Sequence, residues 1–181
     1  MAIHFIGAGP GSADLLTLRA KKIISESDIC MYAGSLVSKE VLRFCKSSVK
    51  IINTSHMHLD EIINEFLEAH KENLNVARLH SGDLSIWSAL GEQIRRLKEK
   101  NIKYTITPGV TTFAAASAVL ENEFTLPHVS QTVILTRTEG SATPMPNNEK
   151  LEEMAKIGAT LVIHLSILKL KKIINILMPY Y

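Results

Sequence analysis

Hydrophobic and polar positions along this chain form short blocks that alternate between the strand pattern and the helix pattern. Apolar runs rich in β-branched residues and bounded by turn-forming residues predict five strands. They span residues 2–7, 28–33, 49–53, 75–80 and 103–107. Because helical patterns alternate with these runs, we expect right-handed crossovers and a mostly parallel sheet with helices on both faces, which is an α/β fold.

The helices of this first part differ in how clearly the pattern marks them. The clearest begins near Leu59, where apolar side chains recur at i, i+3, i+4, i+7 and i+8. Asp14 is a suitable N-cap for the first helix, and an alanine-rich helix follows Thr112. A further helix is predicted over residues 85–100. Its apolar face consists of Ile86, Leu90, Ile94 and Leu97.

The pattern changes near residues 121–128, where Pro127 interrupts it. Beyond this point we predict a strand, a helix, a strand and an amphipathic helix, over residues 131–137, 148–156, 159–165 and 167–177. Two strands are too few for an independent sheet of ordinary size. We therefore expect an N-terminal α/β domain at 1–125 and the start of a second, incomplete α/β domain at 126–181. The chain would then be a fragment whose segment 167–181 is poorly packed.

Composition and charge exclude several classes of protein. The 181 residues carry a formal net charge of +2, and no Lys or Arg cluster is interleaved with aromatic residues, so we expect no nucleic-acid partner. No apolar run reaches the roughly 18 residues of a membrane span, and the N-terminus begins a strand without a signal sequence. We therefore expect a cytoplasmic protein with no membrane partner, and we interpret the lysines of residues 169–172 as a solvated helix face.

The cysteines and histidines do not form a recognisable metal site. Cys30 and Cys45 lie on apolar segments and lack a C-x-x-C pair, which favours buried thiols in a reducing compartment. His56 and His58 are two residues apart, but no nearby cysteine or carboxylate completes a ligand set. We predict no metal bound by the protein, and we interpret the histidine pair as a surface loop or a substrate contact.

Three turns rich in Gly, Pro and small hydroxyl residues follow predicted strands. They cover residues 7–11, 80–89 and 107–112, and each leads toward a helical pattern. Carboxyl ends of parallel strands lie along one edge of a sheet, where ligands of open α/β folds bind. The sequence therefore predicts one ligand pocket formed by these three turns.

Familiar nucleotide and hydrolase motifs match these turns poorly. The first turn has Ser12 where the third glycine of G-x-G-x-x-G belongs, and Asp28 lies at the start of the second strand rather than at its end. No Gly-Lys-Ser/Thr follows the glycines, and Ser35 and Ser85 lack the G-x-S-x-G pattern. Dinucleotide binding is thus a weak alternative, and kinase-type and lipase-type chemistry are excluded.

These segments together resemble the tetrapyrrole (corrin/porphyrin) methylase family, whose members use S-adenosylmethionine and whose fold differs from that of Rossmann methyltransferases. The family's N-terminal signature is similar to residues 7–20, GAGPGSADLLTLRA, and its Gly-Asp-Pro loop is similar to residues 81–84, SGDL. The resemblance covers nearly the whole chain. The segments that resemble the branch methylating precorrin-4 at C11 in cobalamin biosynthesis are 32–37, 77–83, 129–137 and 143–146.

The resemblance implies a tetrapyrrole methylase fold, S-adenosylmethionine as the cofactor, a tetrapyrrole as the small-molecule substrate and a homodimer. It also implies a set of cofactor-binding residues, namely Pro10, Ser81, Gly82, Asp83, Ile86, Thr111, Thr112 and Leu165. No catalytic residue is assigned, because methyl transfer from a sulfonium to an electron-rich ring carbon depends chiefly on positioning. Arg137, Arg78 and His80 are candidates, by location, for guiding the carboxylates of the substrate.

Two positions depart from the family pattern, and several interpretations remain open. Leu84 stands where proline is usual, which removes a fixed φ from the loop, and Trp87 stands where Tyr or Phe is usual. Tight turns alone explain Gly7, Gly9 and Gly109 equally well. The sequence does not distinguish a metal-free substrate from a cobalt-loaded one. The alternatives are another methyltransferase of the same fold, acting on uroporphyrinogen III, a protein or an RNA, and a cofactor-binding protein without turnover.

Overall fold

The five strands predicted for the N-terminal part form a single parallel sheet. In the computed structural model, which describes residues 1–140 and 144–181, they are β1 (Ile3–Gly7), β2 (Ile29–Tyr32), β3 (Lys50–Asn53), β4 (Val76–His80) and β5 (Tyr104–Thr107). Their order across the sheet is β3-β2-β4-β1-β5. Every neighbouring pair is parallel, which confirms the predicted fold class.

The chain divides into two compact units, Met1–Ala115 (unit 1) and Ala116–Tyr181 (unit 2). Unit 1 contains the five-stranded sheet and the helices α1 (Leu18–Glu26), α2 (Leu59–Lys71) and α3 (Leu90–Glu99). Helix α4 (Thr112–Val119) is the predicted alanine-rich helix and crosses the division between the units. The predicted division into domains after residue 125 stays a prediction.

Helix α2 begins where the apolar stripe predicted it. The carboxylate of Glu61 accepts a hydrogen bond from the backbone N–H of His58 at 2.6 Å, which fixes the start of the helix. The stripe is directed into the core: Phe66 is fully buried, and Ile62 and Ile63 are 7% and 4% exposed.

Helix α1 does not begin at the predicted N-cap. Asp14 lies instead in a single 3₁₀ turn, Ala13–Leu15, where it accepts a hydrogen bond from the hydroxyl of Ser12. The residue that caps α1 is Thr17, whose Oγ1 accepts a hydrogen bond from Ala20 N at 3.1 Å. The prediction was wrong because two residue types that cap helices lie close together in the sequence.

Helix α3 is shorter than predicted. It begins at Leu90 rather than at residue 85, because Trp87 and Ala89 have φ values of 49° and 52°, which an α-helix does not accommodate. Ile86 therefore lies in the loop before α3. Leu97 is fully buried as expected.

Two apolar clusters cover opposite faces of the unit 1 sheet. On one face, the Phe5 ring meets the Phe66 ring of α2 edge to face, with ring centroids 6.0 Å apart. On the other face, Ile6 of β1 packs in the same cluster as Ile24 of α1. Each fully buried side chain of this size contributes about 1.5 to 3 kcal/mol. Helices thus cover both faces, as predicted.

Unit 2 is smaller and holds two strands. These are β6 (Val133–Arg137) and β7 (Thr160–His164), which pair in parallel as predicted. The helices are α5 (Leu151–Ala155) and α6 (Leu170–Leu177), each preceded by a 3₁₀ turn. Of the segment 143–146 that carried part of the resemblance, Thr143 lies outside the described residues.

Many large apolar side chains of unit 2 face solvent. Leu168 is 99% exposed and Ile167 is 77% exposed, whereas Ile173 of α6 is 7% exposed. Within α6, Leu170 and Ile174 are 50% and 48% exposed, so the helix has little apolar contact to hold it. Within the described part of the chain, no helix is long and apolar enough to cross a membrane.

Candidate functional site

The first two turns of unit 1 are joined by their backbones at the carboxyl edge of the sheet. Gly82 N donates to Gly9 O at 2.7 Å, and Gly9 N donates to Gly82 O at 3.2 Å. One residue earlier, Ala8 N donates to the carbonyl of His80 at 2.7 Å. The turns after β1 and β4 therefore form one continuous backbone surface.

The carboxylate of Asp83 connects the second turn to the third. Its Oδ2 accepts a hydrogen bond from Gly109 N at 2.8 Å, and its Oδ1 accepts one from Ser85 N at 2.8 Å. Partial burial acts to raise the Asp83 pKa, but the hydrogen bonds from Ser85 and Gly109 outweigh it, so the pKa lies below its ordinary value. Asp83 is therefore an anion at neutral pH, and it holds the second and third turns together.

The glycines of these turns allow close contact between backbones. A Cβ placed on Gly7 would lie 2.5 Å from Gly109 N, and a Cβ on Gly109 would lie 2.2 Å from Gly82 O. Both distances are far below van der Waals contact, so any side chain at these positions would push the turns apart. The close approach between turns thus explains why Gly7 and Gly109 carry no side chain. At position 9, glycine is favoured because the backbone has a φ of 76°.

The structure brings together most of the residues predicted to bind the cofactor. A Cβ on Gly82 would lie 3.1 Å from Thr112 Oγ1, so the second turn touches the start of α4. Three more predicted residues are half-buried, and each is next in sequence to one of the residues in contact. Pro10 follows Gly9, Ser81 precedes Gly82, and Thr111 precedes Thr112. Ile86 is also half-buried, in the loop that precedes α3.

Leu165 lies in unit 2, directly after β7. It is 69% exposed and has a φ of 55°, which is strained for a leucine. The next residue, Ser166, holds this turn, because its hydroxyl donates to His164 O at 2.6 Å and accepts from Thr138 N at 2.9 Å. Ser166 was not identified from the sequence, although a serine at the end of a predicted strand is a signal for such a turn.

The loop between Asp83 and α3 is anchored by the residue that departs from the family pattern. Leu84 is 5% exposed and packs in the apolar cluster that contains Phe5 and Leu97. Its carbonyl accepts a hydrogen bond from Ser88 Oγ at 2.7 Å. Apolar burial and this hydrogen bond thus hold the loop at the position where proline is usual. Trp87, the other departure, is 41% exposed.

Asn53 organises two more loops at the same edge and was not identified from the sequence. Its Oδ1 accepts hydrogen bonds from Gly34 N at 3.0 Å and from Ser55 N at 3.1 Å. These loops follow β2 and β3. An asparagine at the last position of a strand is the signal that points to this role.

Arg78 and His80 occupy the same face of β4 and are both buried. Arg78 is 6% exposed, and its Nη1 donates to Thr54 Oγ1 at 2.8 Å. Burial, together with the neighbouring charge of Arg78, lowers the pKa of His80 to about 3. His80 is therefore neutral at physiological pH, and the expectation that it guides substrate carboxylates as a cation is wrong.

Arg137 lies at the end of β6 in unit 2 and lines a cavity of about 700 Å³. Its Nη1 donates to Thr138 O at 3.1 Å. Lys150, Lys169 and Lys172 line the same cavity, and so do three glutamates, so the charges there are mixed.

The cysteines are free thiols, and the described residues form no metal site. Both cysteines are free, and Cys30 is fully buried. A hydrogen bond with Cys45 and burial raise the pKa of Cys30, which keeps it a neutral thiol. Among residues 1–140 and 144–181, no group of three or more His, Cys, Asp or Glu is placed to hold a metal ion.

Comparison with known proteins identifies the family. The family model of the tetrapyrrole (corrin/porphyrin) methylases matches residues 2–181. A precorrin-4 C(11)-methyltransferase of Sinorhizobium sp is 52% identical over 100% of this chain and 72% of its own length. One of Rhodococcus erythropolis is 46% identical over 100% of this chain and 73% of its own length.

A solved structure has the same fold over nearly the whole chain. The X-ray structure of a cobalt precorrin-4 methyltransferase, a cobalamin biosynthetic enzyme, superposes with a TM-score of 0.93 and 38% sequence identity. The match covers 99% of this chain and 74% of that chain. Since the family model spans residues 2–181 and the relatives align over the full chain, this protein belongs to the tetrapyrrole (corrin/porphyrin) methylase family.

Proposed function

We propose that this protein transfers a methyl group from S-adenosylmethionine to C11 of precorrin-4, in its metal-free or cobalt form, during cobalamin biosynthesis. The observation that carries the proposal is the identity of 52% and 46%, over the whole chain, to two precorrin-4 C(11)-methyltransferases. These relatives support the metal-free form of the substrate, and the fold of a cobalt precorrin-4 methyltransferase, matched with a TM-score of 0.93, supports the cobalt form.

The residues proposed to hold S-adenosylmethionine are those named from the sequence: Pro10, Ser81, Gly82, Asp83, Ile86, Thr111, Thr112 and Leu165. When bound, this cofactor supplies a methyl group that its sulfonium has already activated. The joined turns at the edge of unit 1 offer backbone groups and small hydroxyls for the polar methionyl end. Ile86 offers apolar surface for the adenine.

The chain fits such a ligand at two places. In unit 1 the three turns approach one another backbone to backbone, which supports a ligand surface built largely from main-chain groups. In unit 2 the strained backbone of Leu165, with its φ of 55°, supports a binding role, because strain of this kind concentrates at functional sites. Asp83 acts in this proposal by fixing the turns, since both of its oxygens already accept backbone hydrogen bonds.

The chemistry asked of the protein is positioning. An electron-rich ring carbon attacks an activated methyl group, so the protein has to align the two reactants and exclude competing geometries. The rigid edge of unit 1, with its turns fixed by Asp83 and its loops fixed by Asn53, supports this role. Arg137 is proposed to bind a peripheral carboxylate of the tetrapyrrole through a charge-assisted hydrogen bond.

We also propose that the protein acts in the cytoplasm as a homodimer. The support for a dimer is the apolar surface of unit 2, where Leu168 is 99% exposed and Met178 is 68% exposed. Neither a nucleic acid nor a membrane is needed for the proposed reaction.

The experiment that tests the substrate is a competition between two tetrapyrroles. The protein is incubated with S-adenosylmethionine and equal amounts of precorrin-4 and uroporphyrinogen III, and the products are analysed by mass spectrometry. We expect one methyl group on precorrin-4 and almost none on uroporphyrinogen III. Efficient double methylation of uroporphyrinogen III would contradict the proposed substrate while leaving the family intact.

A further inference from the structure

Arg78 is a buried cation to which the proposed function assigns no role. It lies at the centre of the unit 1 sheet, on β4, where its neighbours in register are Phe5 of β1 and Met31 of β2. It is 6% exposed. A guanidinium in such apolar surroundings is costly unless an anion pairs with it.

The described residues supply no anion for this cation. Among residues 1–140 and 144–181, the ion pairs all involve other residues, and none includes Arg78. Its Nη1 donates to the neutral hydroxyl of Thr54 at 2.8 Å. Its buried Nε–H finds no acceptor within the described part of the chain. Burial lowers the pKa of Arg78 only to about 10, so the side chain is charged at neutral pH.

The contact with Thr54 shows where the charged group lies. Thr54 directly follows β3, and its N–H donates to the carbonyl of Tyr32, the last residue of β2, at 2.8 Å. The Arg78 side chain thus leaves β4, crosses the neighbouring strand β2 and ends at the carboxyl edge of the sheet. This is the edge that carries the three joined turns of unit 1.

The other buried polar side chain of β4, that of His80, does not compete for an anion. His80 lies two residues further along β4, on the same face, and is 8% exposed. It is uncharged at neutral pH, as shown above, so it adds no positive charge there. Of these two side chains of β4, Arg78 alone would therefore offer a positive charge to a ligand carboxylate.

We propose that Arg78 binds a carboxylate of one of the two reactants at the carboxyl edge of unit 1. The proposal rests on the proposed function, because both reactants carry this group: the tetrapyrrole bears several carboxylates on its periphery, and S-adenosylmethionine bears one on its methionyl part. A carboxylate would accept charge-assisted hydrogen bonds from the guanidinium and compensate its buried charge.

The test uses the variant Arg78→Met, which removes the charge and keeps an unbranched apolar stem. We expect a rise of about tenfold to a hundredfold in one of two constants. These are the KM for precorrin-4 and the Kd for S-adenosylhomocysteine. We expect the melting temperature to stay equal or to rise, because an unpaired buried charge has been removed. The matched control is Arg19→Met, which removes an exposed arginine of α1 and should change neither constant.

Two further measurements identify the source of the carboxylate. If it belongs to the tetrapyrrole, the KM for precorrin-4 rises while the Kd for S-adenosylhomocysteine and kcat are unchanged. If it belongs to the cofactor, the Kd for S-adenosylhomocysteine rises. In that case the wild-type protein prefers S-adenosylhomocysteine to its decarboxylated analogue, and Arg78→Met no longer distinguishes them.

The inference is overturned if Arg78→Met leaves both constants unchanged, with or without a loss of stability, because Arg78 would then have a structural role. If that variant does not fold, Arg78→Lys decides: a raised constant at an unchanged melting temperature supports the inference, and two unchanged constants contradict it. Failure of the proposed function is recognised separately, since the wild-type protein would then transfer no methyl group to precorrin-4.

Discussion

Asp83 joins the second and third turns of unit 1 through both oxygens of its carboxylate, which accept hydrogen bonds from Ser85 N and Gly109 N at 2.8 Å each. Hydrogen bonds to a charged group contribute about 1.5 to 3 kcal/mol each. The side chain is also half-buried, which strengthens these bonds relative to those of a fully solvated carboxylate. Loss of this carboxylate would therefore release Gly109 and the turn that contains it.

We predict that Asp83→Ala weakens the binding of S-adenosylhomocysteine by about tenfold or more, because the turns proposed to hold it separate. Asp83→Asn should have a smaller effect, since an amide oxygen still accepts one of the two hydrogen bonds. Isothermal titration calorimetry measures both affinities. The matched control is Asp60→Ala, which removes an exposed carboxylate of α2. An unchanged affinity in Asp83→Ala would remove Asp83 from the site.

The same carboxylate gives the affinity a defined pH dependence. The pKa of Asp83 lies below its ordinary value of 3.8, because hydrogen bonds to the charged form outweigh the effect of burial. The stabilising hydrogen bonds are therefore complete above that ordinary value and are lost as the pH falls through the lower pKa of the folded protein. Between neutral pH and the ordinary value, the contribution of Asp83 should stay constant.

Among individual residues, those that form the three turns were identified from the sequence, but not all the contacts between the turns were. Asp83 was named through the family resemblance, and its loop follows a predicted strand. The close approach of Gly7 to Gly109 depends on residues about a hundred positions apart, as does any contact between strands β1 and β5, and no local pattern contains it. The role of Leu84 was also not visible, because burial of a loop leucine depends on the core beneath it.

At the scale of elements, strands were predicted more accurately than helix starts. The central strands β1, β2 and β4 were located because a buried parallel strand is largely a short apolar run. The edge strands β3 and β5 are more exposed, and they were located from β-branched residues between turn-forming residues. The start of α3 was wrong because Trp87 and Ala89 adopt positive φ values that the apolar repeat does not encode. The start of α1 was wrong because Thr17, rather than Asp14, provides the capping oxygen.

We expect helix α6 to open locally more readily than helix α2. The buried residue of α6 is Ile173, whereas α2 buries Ile62, Ile63, Phe66 and Ala69. Few buried apolar contacts lower the free energy of local opening. We predict that amides of α6 exchange with deuterium about a hundredfold faster than those of α2, as measured by hydrogen exchange with mass spectrometry. Equal protection would mean that another surface covers α6, such as that of a second copy.

At the scale of the whole molecule, the alternation of strands and helices was enough to predict a parallel sheet covered on both faces. The order of strands across the sheet, β3-β2-β4-β1-β5, was not predicted. This order depends on which apolar faces pack together, and the order of strands along the chain does not determine it. The family resemblance rested on segments distributed over nearly the whole chain, and the family is confirmed.

The most direct measurement follows the transferred methyl group itself. The protein is given precorrin-4 and S-adenosylmethionine whose methyl carbon is ¹³C, and the product is examined by ¹³C nuclear magnetic resonance. We predict one labelled methyl group bonded to C11 of the macrocycle. A label at any other ring carbon, or no transfer of label to precorrin-4, would contradict it.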